Sequence, residues 1–171
     1  MKRIWIAGGS GSGKTTLANL LGRSLNISVF HRDSITWDEN DNIRSEDEQI
    51  LLVKEATDRD KWIFEGARFT ASKIDGRLDR CDTIIHLSTN RFICLYRVFK
   101  RSYVNSKDKS VPELQKQPVS FEIIKYILLD YPRKAYLRRQ IFIEAKQRGI
   151  SVIFLSSQTQ VNIFLKNFKY E

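Results

Sequence analysis

Eight consecutive residues, Gly8-Gly9-Ser10-Gly11-Ser12-Gly13-Lys14-Thr15, follow the pattern G-x-x-x-x-G-K-[ST], with an apolar run before them and a helical pattern after. Their types suit one chemistry. Glycines and serines let successive backbone N–H groups turn inward and line a concave anion site. A helix starting at the end of that loop adds its positive pole. Lys14 would then reach the β- and γ-phosphates of a nucleotide as a point charge. The Thr15 hydroxyl would complete the coordination of a magnesium ion carried in with it, and Thr16 would add a hydroxyl toward the α-phosphate.

Further residues with chemical potential recur at the ends of apolar runs. His31-Arg32-Asp33 closes the second such run, so Asp33 reaches the same sheet edge as the loop if the strands are parallel. There it holds metal-bound water or a substrate hydroxyl, or else caps the turn beginning at Ser34. His31 stands two residues earlier, on the same strand face, and reads as a packed or hydrogen-bonded ring. Trp37 is either a substrate wall or an anchor for its loop. Lys61-Trp62-Ile63-Phe64-Glu65-Gly66 is a buried strand ending in an acid and a glycine, a form that makes Glu65 a ligand for magnesium-bound water or for substrate. Arg68 follows, either placed to meet an anionic acceptor or simply exposed. Arg97 and Arg101 are one helical turn apart and would straddle one set of phosphates, or cap carbonyls and pair with acids on a neighbouring helix. Arg138 lies in the last long helical pattern, beside Arg139.

The elements that must position these groups alternate. Strand patterns at Lys2–Ala7, Ile27–Phe30, Lys61–Gly66, Thr83–Leu87 and Ile150–Leu155 are separated by helical ones. Leu17, Leu20, Leu21 and Leu25 give the first helix its apolar side, and Asn26 closes it. A second runs from Glu46 to about Arg59, with Ile50, Leu51 and Val53 as its apolar side. Asp75 to Arg80 is a short helix. In the next, Phe92, Leu95, Tyr96 and Phe99 share one face. Residues 102–118 are polar, carry Lys107, Lys109 and Lys116, and include Pro112 and Pro118, so they read as a mobile connection where a lid would sit. Helical patterning returns from Ser120 to Asp130, breaks at Tyr131-Pro132, and resumes through Gln147. Val161 to Phe168 closes the chain. Such alternation implies a doubly wound α/β sheet, and 171 residues fit one domain spanning 1–171.

Composition narrows the partners. The net charge of +9 is confined to residues 91–148, where 14 Lys and Arg face 5 acids, while the remainder holds 15 of each sign. That block would meet nucleotide phosphates, a phosphorylated substrate or nucleic acid, or form a solvated face. The short apolar run after Met1-Lys2-Arg3 is not a signal peptide and no run has membrane-span length, which gives the expectation of a cytoplasmic, soluble protein. Cys81 and Cys94 lack metal-type spacing and read as small buried hydrophobes.

The segments GGSGSGKTTLA, HRDSITW, WIFEG, RLDRCDTIIHL, NRFICLYRVFKR and YPRKAYLR, in this order and nearly end to end, resemble the adenylate-kinase-related small kinases. They resemble still more the family of DNA topology modulation proteins. The resemblance implies a three-layer P-loop fold of the nucleoside-monophosphate-kinase type, with a five-stranded parallel core and a helical or loop lid. It also implies ATP and Mg2+ over the loop and an acceptor pocket between the second and third strands. Glu65, Gly66 and Arg68 look like the acid, glycine and arginine at the third-strand edge of adenylate kinases, the arginine one residue early. Arg97 and Arg101 resemble the paired phosphate arginines before the lid, and the arginine after Tyr131-Pro132 resembles a later basic element. Ala67-Arg68-Phe69 replaces the usual Asn-Tyr, and Ser88 stands where an acid is common. The implied activity is phosphoryl transfer from Mg-ATP to a small acceptor, with a nucleotide-gated, DNA-associating protein or a regulatory NTPase as the other readings. No recognition helix or zinc module is present.

Overall fold

In the five strands, neighbouring residues point alternately into two separate apolar clusters. Ile4 and Ile6 join one while Trp5 and Ala7 join the other, and Ile63 is likewise opposed to Trp62 and Phe64. Strands buried on both faces must lie between helical layers. The computed structural model, which describes residues 1–108 and 118–168, has that arrangement. Strands β1 (Arg3–Gly8), β2 (Val29–His31), β3 (Trp62–Glu65), β4 (Thr83–Leu87) and β5 (Ser151–Leu155) form one open, wholly parallel sheet in the order β2-β3-β1-β4-β5.

Helices α1 (Lys14–Leu25) and α9 (Gln158–Lys166) cover one face, where Leu17, Leu21 and Leu165 meet Ile4, Ile6 and Ile85. Helices α3 (Glu46–Thr57), α4 (Arg77–Arg80) and α8 (Ala135–Gln147) cover the other. They contribute Val53, Leu78, Ile141, Phe142 and Ala145. A small third cluster joins Cys94 and Val98 of α5 (Arg91–Lys107) to Ile127. The expected α/β architecture with a five-stranded parallel sheet is the one found.

Several local expectations need correction. Asp33 is not on a strand: β2 stops at His31, and Asp33 lies in the first turn of α2 (Arg32–Thr36), where a carboxylate favours the helix dipole. Helix α3 starts at a capping box between Ser45 and Glu48, but Leu51 on it is 58% exposed and the residue buried in its place is Gln49. On α5 the inward residues are Cys94 and Val98, which leaves Phe92, Tyr96 and Phe99 outside. Helix α5 also runs on through residues 102–107 of the expected mobile connection, while residues 109–117, with Pro112, Lys109 and Lys116, lie outside the described residues. The chain does not break at Tyr131-Pro132. Helix α6 (Phe121–Lys125) widens into a π-helical turn at Tyr126–Asp130, followed directly by α7 (Tyr131–Arg133). Pro132 cannot donate to the carbonyl of Leu128 and its ring would crowd it. The wider turn relieves the crowding, and Arg91 Nη1 donates to that carbonyl at 3.2 Å. Cys81 and Cys94 are buried free thiols, and burial raises the pKa of both.

Candidate active site

Register brings the chemical groups to one edge. Ile6 and His31 both pair with Glu65, and Gly8 pairs with Leu87, so the carboxyl ends of four strands open onto the same side. A cavity of about 530 Å³ lies there. The phosphate-type loop forms its floor. Gly13 (φ 97°) turns the chain into α1 with no side-chain cap, leaving the first N–H groups of that helix to an arriving anion. Gly11 (φ 74°) lies so close to α5 that a Cβ there would come within 2.3 Å of the Cys94 carbonyl oxygen. Only glycine permits both the turn and the approach.

Glu65, 6% exposed at the end of β3, gathers three partners. Lys14 Nζ stands 3.5 Å from one carboxylate oxygen and donates to the Gly9 carbonyl at 3.0 Å. Thr15 Oγ1 donates to the other oxygen at 3.3 Å, and His31 Nδ1 lies 3.3 Å from the same atom. A hydroxyl beside a carboxylate is a hard-oxygen pair of the kind magnesium accepts. Among the described residues no group of three or more His, Cys, Asp or Glu side chains is placed to hold a metal. Thr15 and Glu65 are thus residues of this site that could hold such an ion.

Gly8, Ser10, Gly11, Gly13, Lys14, Thr15 and Thr16 line this cavity, as do Asp33, Glu65, Gly66, Arg68, Arg97, Arg101 and Arg138. Gly9 and Ser12 stand behind the floor. Gly9 borders a neighbouring cavity, and Ser12 is 4% exposed and gives its carbonyl to Thr89 Oγ1 and Arg97 Nη1. The second amine of Arg97 donates to Gln158. Arg138, largely buried, is stacked 4.0 Å over the Tyr131 ring and donates to the Tyr131 carbonyl. Arg68 is held by Glu46 at 2.8 Å and by Gln49 at 3.2 Å. Trp37 is outside: it bridges to Ile43 in its own loop and does not line the cavity.

Arg32, Lys134, Tyr126 and Tyr131 line the cavity without having been singled out in the sequence. Arg32 was adjacent to Asp33, and Lys134 followed the Tyr131-Pro132-Arg133 segment, but neither spacing carries a recognised motif. Lys14, Arg32, Arg68, Arg97, Arg101, Lys134 and Arg138 thus face one cavity against the carboxylates Asp33 and Glu65. Beneath them Arg77 is fully buried, paired with Asp75 at 2.8 Å and set between the Trp5 and Phe64 rings. His86 Nε2 meets the Tyr131 hydroxyl at 3.1 Å, and burial with the nearby Arg138 pushes the ring down to about 4.

No protein-family model matches the sequence, and no curated protein matches it. The fold does match solved structures. Shikimate kinase from Bacteroides thetaiotaomicron is similar at TM-score 0.59 and 15% identity, over 97% of this chain and 95% of that one. Shikimate kinase from Acinetobacter baumannii, in complex with shikimate, gives 0.61 and 14% over 98% and 90%. The enzyme from Aquifex aeolicus gives 0.54 and 17% over 96% and 92%. These matches show the fold, an open parallel α/β sheet between helical layers shared with those structures. Among the described residues no helix is long and apolar enough to cross a membrane.

Proposed function

We propose that the protein is an ATP-dependent phosphotransferase that moves the γ-phosphoryl group of Mg-ATP to a small acceptor. The observation that carries this reading is the convergence of Lys14, Thr15 and Glu65 in a cavity that Asp33, Gly66 and Arg68 also line. Donor and acceptor would share that space in line.

Phosphoryl transfer needs positioning and charge neutralisation more than covalent chemistry. Lys14 would exchange its contact with Glu65 for the β- and γ-phosphates, and Arg97, Arg101 and Arg138 would hold the transferred group. Thr15 and Glu65 would hold magnesium, which would supply charge neutralisation during the transfer. Asp33 would orient the acceptor hydroxyl and take its proton; an acceptor that is already a phosphate needs no base. The likeness to the DNA topology modulation family rests on motifs alone. A nucleic-acid role would use the exposed cations of the same block, such as Lys100, Lys107 and Arg139, yet Arg97, Arg101, Lys134 and Arg138 of that block line the cavity and have a local use.

The test is a screen of nucleotides, nucleosides, sugars and shikimate-like acids with Mg-ATP, read by mass spectrometry. A product heavier by one phosphoryl group is expected. ATP loss no faster than hydrolysis with every acceptor would contradict the reading.

A further inference from the structure

Glu65 divides its two carboxylate oxygens between different kinds of partner. Oε1 faces the Lys14 ammonium at 3.5 Å, while Oε2 faces Thr15 Oγ1 and His31 Nδ1, each at 3.3 Å. Under the proposed function the phosphates draw Lys14 away from the first oxygen. Around the second stand a hydroxyl oxygen and an imidazole nitrogen, both able to offer a lone pair.

The placement of this nitrogen is built into the sheet. His31 is the register partner of Glu65 in adjacent parallel strands, so both side chains leave the sheet on the same face. Val29 and Ile63, two residues earlier on each strand, pack in the cluster of Leu17 and Leu21, which makes that face the one covered by α1. Thr15 lies in the first turn of the same helix. The His31 side chain is 30% exposed and that of Glu65 8%, so the ring stands on the solvent side of a buried carboxylate.

We infer that His31 Nδ1 is a third donor atom of the metal site, and that the site therefore binds Mn2+ in preference to Mg2+. Thr15 and Glu65 offer hard oxygens that serve either ion, whereas an imidazole favours the first-row transition ions. His31 is thus the residue that distinguishes between them. The inference deepens the phosphotransferase reading by adding a residue to its metal site, and it rests on that reading only for the use made of the cation.

The test is spectroscopic. Protein carrying isotope-labelled histidine nitrogens is loaded with Mn2+ and the methylene-bridged ATP analogue, and electron–nuclear double resonance is recorded on the Mn2+ signal. The chain has two histidines. His86 lies on the opposite face of the sheet, among Phe69, Phe142 and Phe154, so a labelled nitrogen bonded directly to Mn2+ identifies His31. That coupling is expected in the native protein and absent from His31→Gln, whose amide can still donate to Glu65 but brings no imidazole. Calorimetry gives a second readout: the preference for the Mn2+ complex of the analogue over its Mg2+ complex should fall about 10-fold in His31→Gln. Affinity for the Mg2+ complex and the melting temperature should stay near native. A ring that only packs against Glu65 would show no nitrogen coupling, and its loss would weaken both complexes alike. Absence of the coupling, or a preference unchanged in His31→Gln, would overturn the assignment. If the coupling is present but no acceptor is phosphorylated, the transfer reading fails and the ligand stands; transfer without the coupling removes the ligand alone.

Discussion

Lys14 and Glu65 form a contact that nucleotide binding would break under the proposed function, and this gives the two residues separable signatures. Lys14 is bonded to the Gly9 carbonyl and to Glu65, and belongs to none of the apolar clusters. Lys14→Ala should therefore leave the melting temperature near that of the native protein, weaken triphosphate binding, and reduce turnover by at least about 100-fold. Turnover that persists at the native rate would remove the loop from the mechanism. Glu65→Gln keeps the shape and the hydrogen bond from Thr15 but loses the charge, so kcat should fall much more than ATP affinity. Equal losses would mark Glu65 as a binding or packing group. The loop residues were legible because their chemistry is encoded in contiguous spacing, and Glu65 because a strand end fixes its place. Arg32 and Gln49 were not legible. The bond between them joins residues 17 positions apart, and a buried glutamine leaves no periodic trace.

Helix α5 carries Arg97 and Arg101 into the cavity by resting its backbone on the loop, and the seat is Gly11 against the Cys94 carbonyl. Gly11→Ala meets both a left-handed φ and a 2.3 Å clash, so it should cost about 2 kcal/mol or more in denaturant unfolding. It should also raise the KM for ATP, since the arginines move with the helix. In the sequence Phe92, Leu95, Tyr96 and Phe99 form the apolar face of this helix. The close approach to the loop instead selects the smaller Cys94 and Val98. A second junction, His86 of β4 with Tyr131 of α7, predicts a pH effect. His86 is pushed from 6.5 to about 4 by burial. Unfolding restores its ordinary proton affinity, so the stabilisation is complete above about pH 6.5 and is lost as pH falls through about 4. Native protein should lose up to roughly 3 kcal/mol more than His86→Gln between pH 7 and 4, measured by urea unfolding at each pH. Parallel curves for the two proteins would contradict the assignment.

Across the whole molecule, the parallel sheet was readable from alternation alone, because apolar runs bounded by loops repeat along the chain and parallel strands require helical crossovers. The position of the positive charge along the sequence was also readable, but its division in space was not: Arg97, Arg101, Lys134 and Arg138 turn into the cavity while Lys100, Lys107 and Arg139 stay outside. Under the proposed function the first set serves phosphoryl transfer and the second does not, whereas a nucleic-acid backbone would be met by the second. The most direct measurement is transfer of labelled γ-phosphate from Mg-ATP by Arg97→Ala, Arg101→Ala and Arg138→Ala, compared with a variant in which Lys107, Lys109 and Lys116 are replaced together, with duplex DNA affinity followed at two salt concentrations. Each arginine variant should lose about 2–4 kcal/mol of transition-state stabilisation while the lysine variant keeps near-native transfer. Native transfer by the arginine variants, alongside DNA binding that is steeply salt-dependent and disappears with the lysines, would contradict the account.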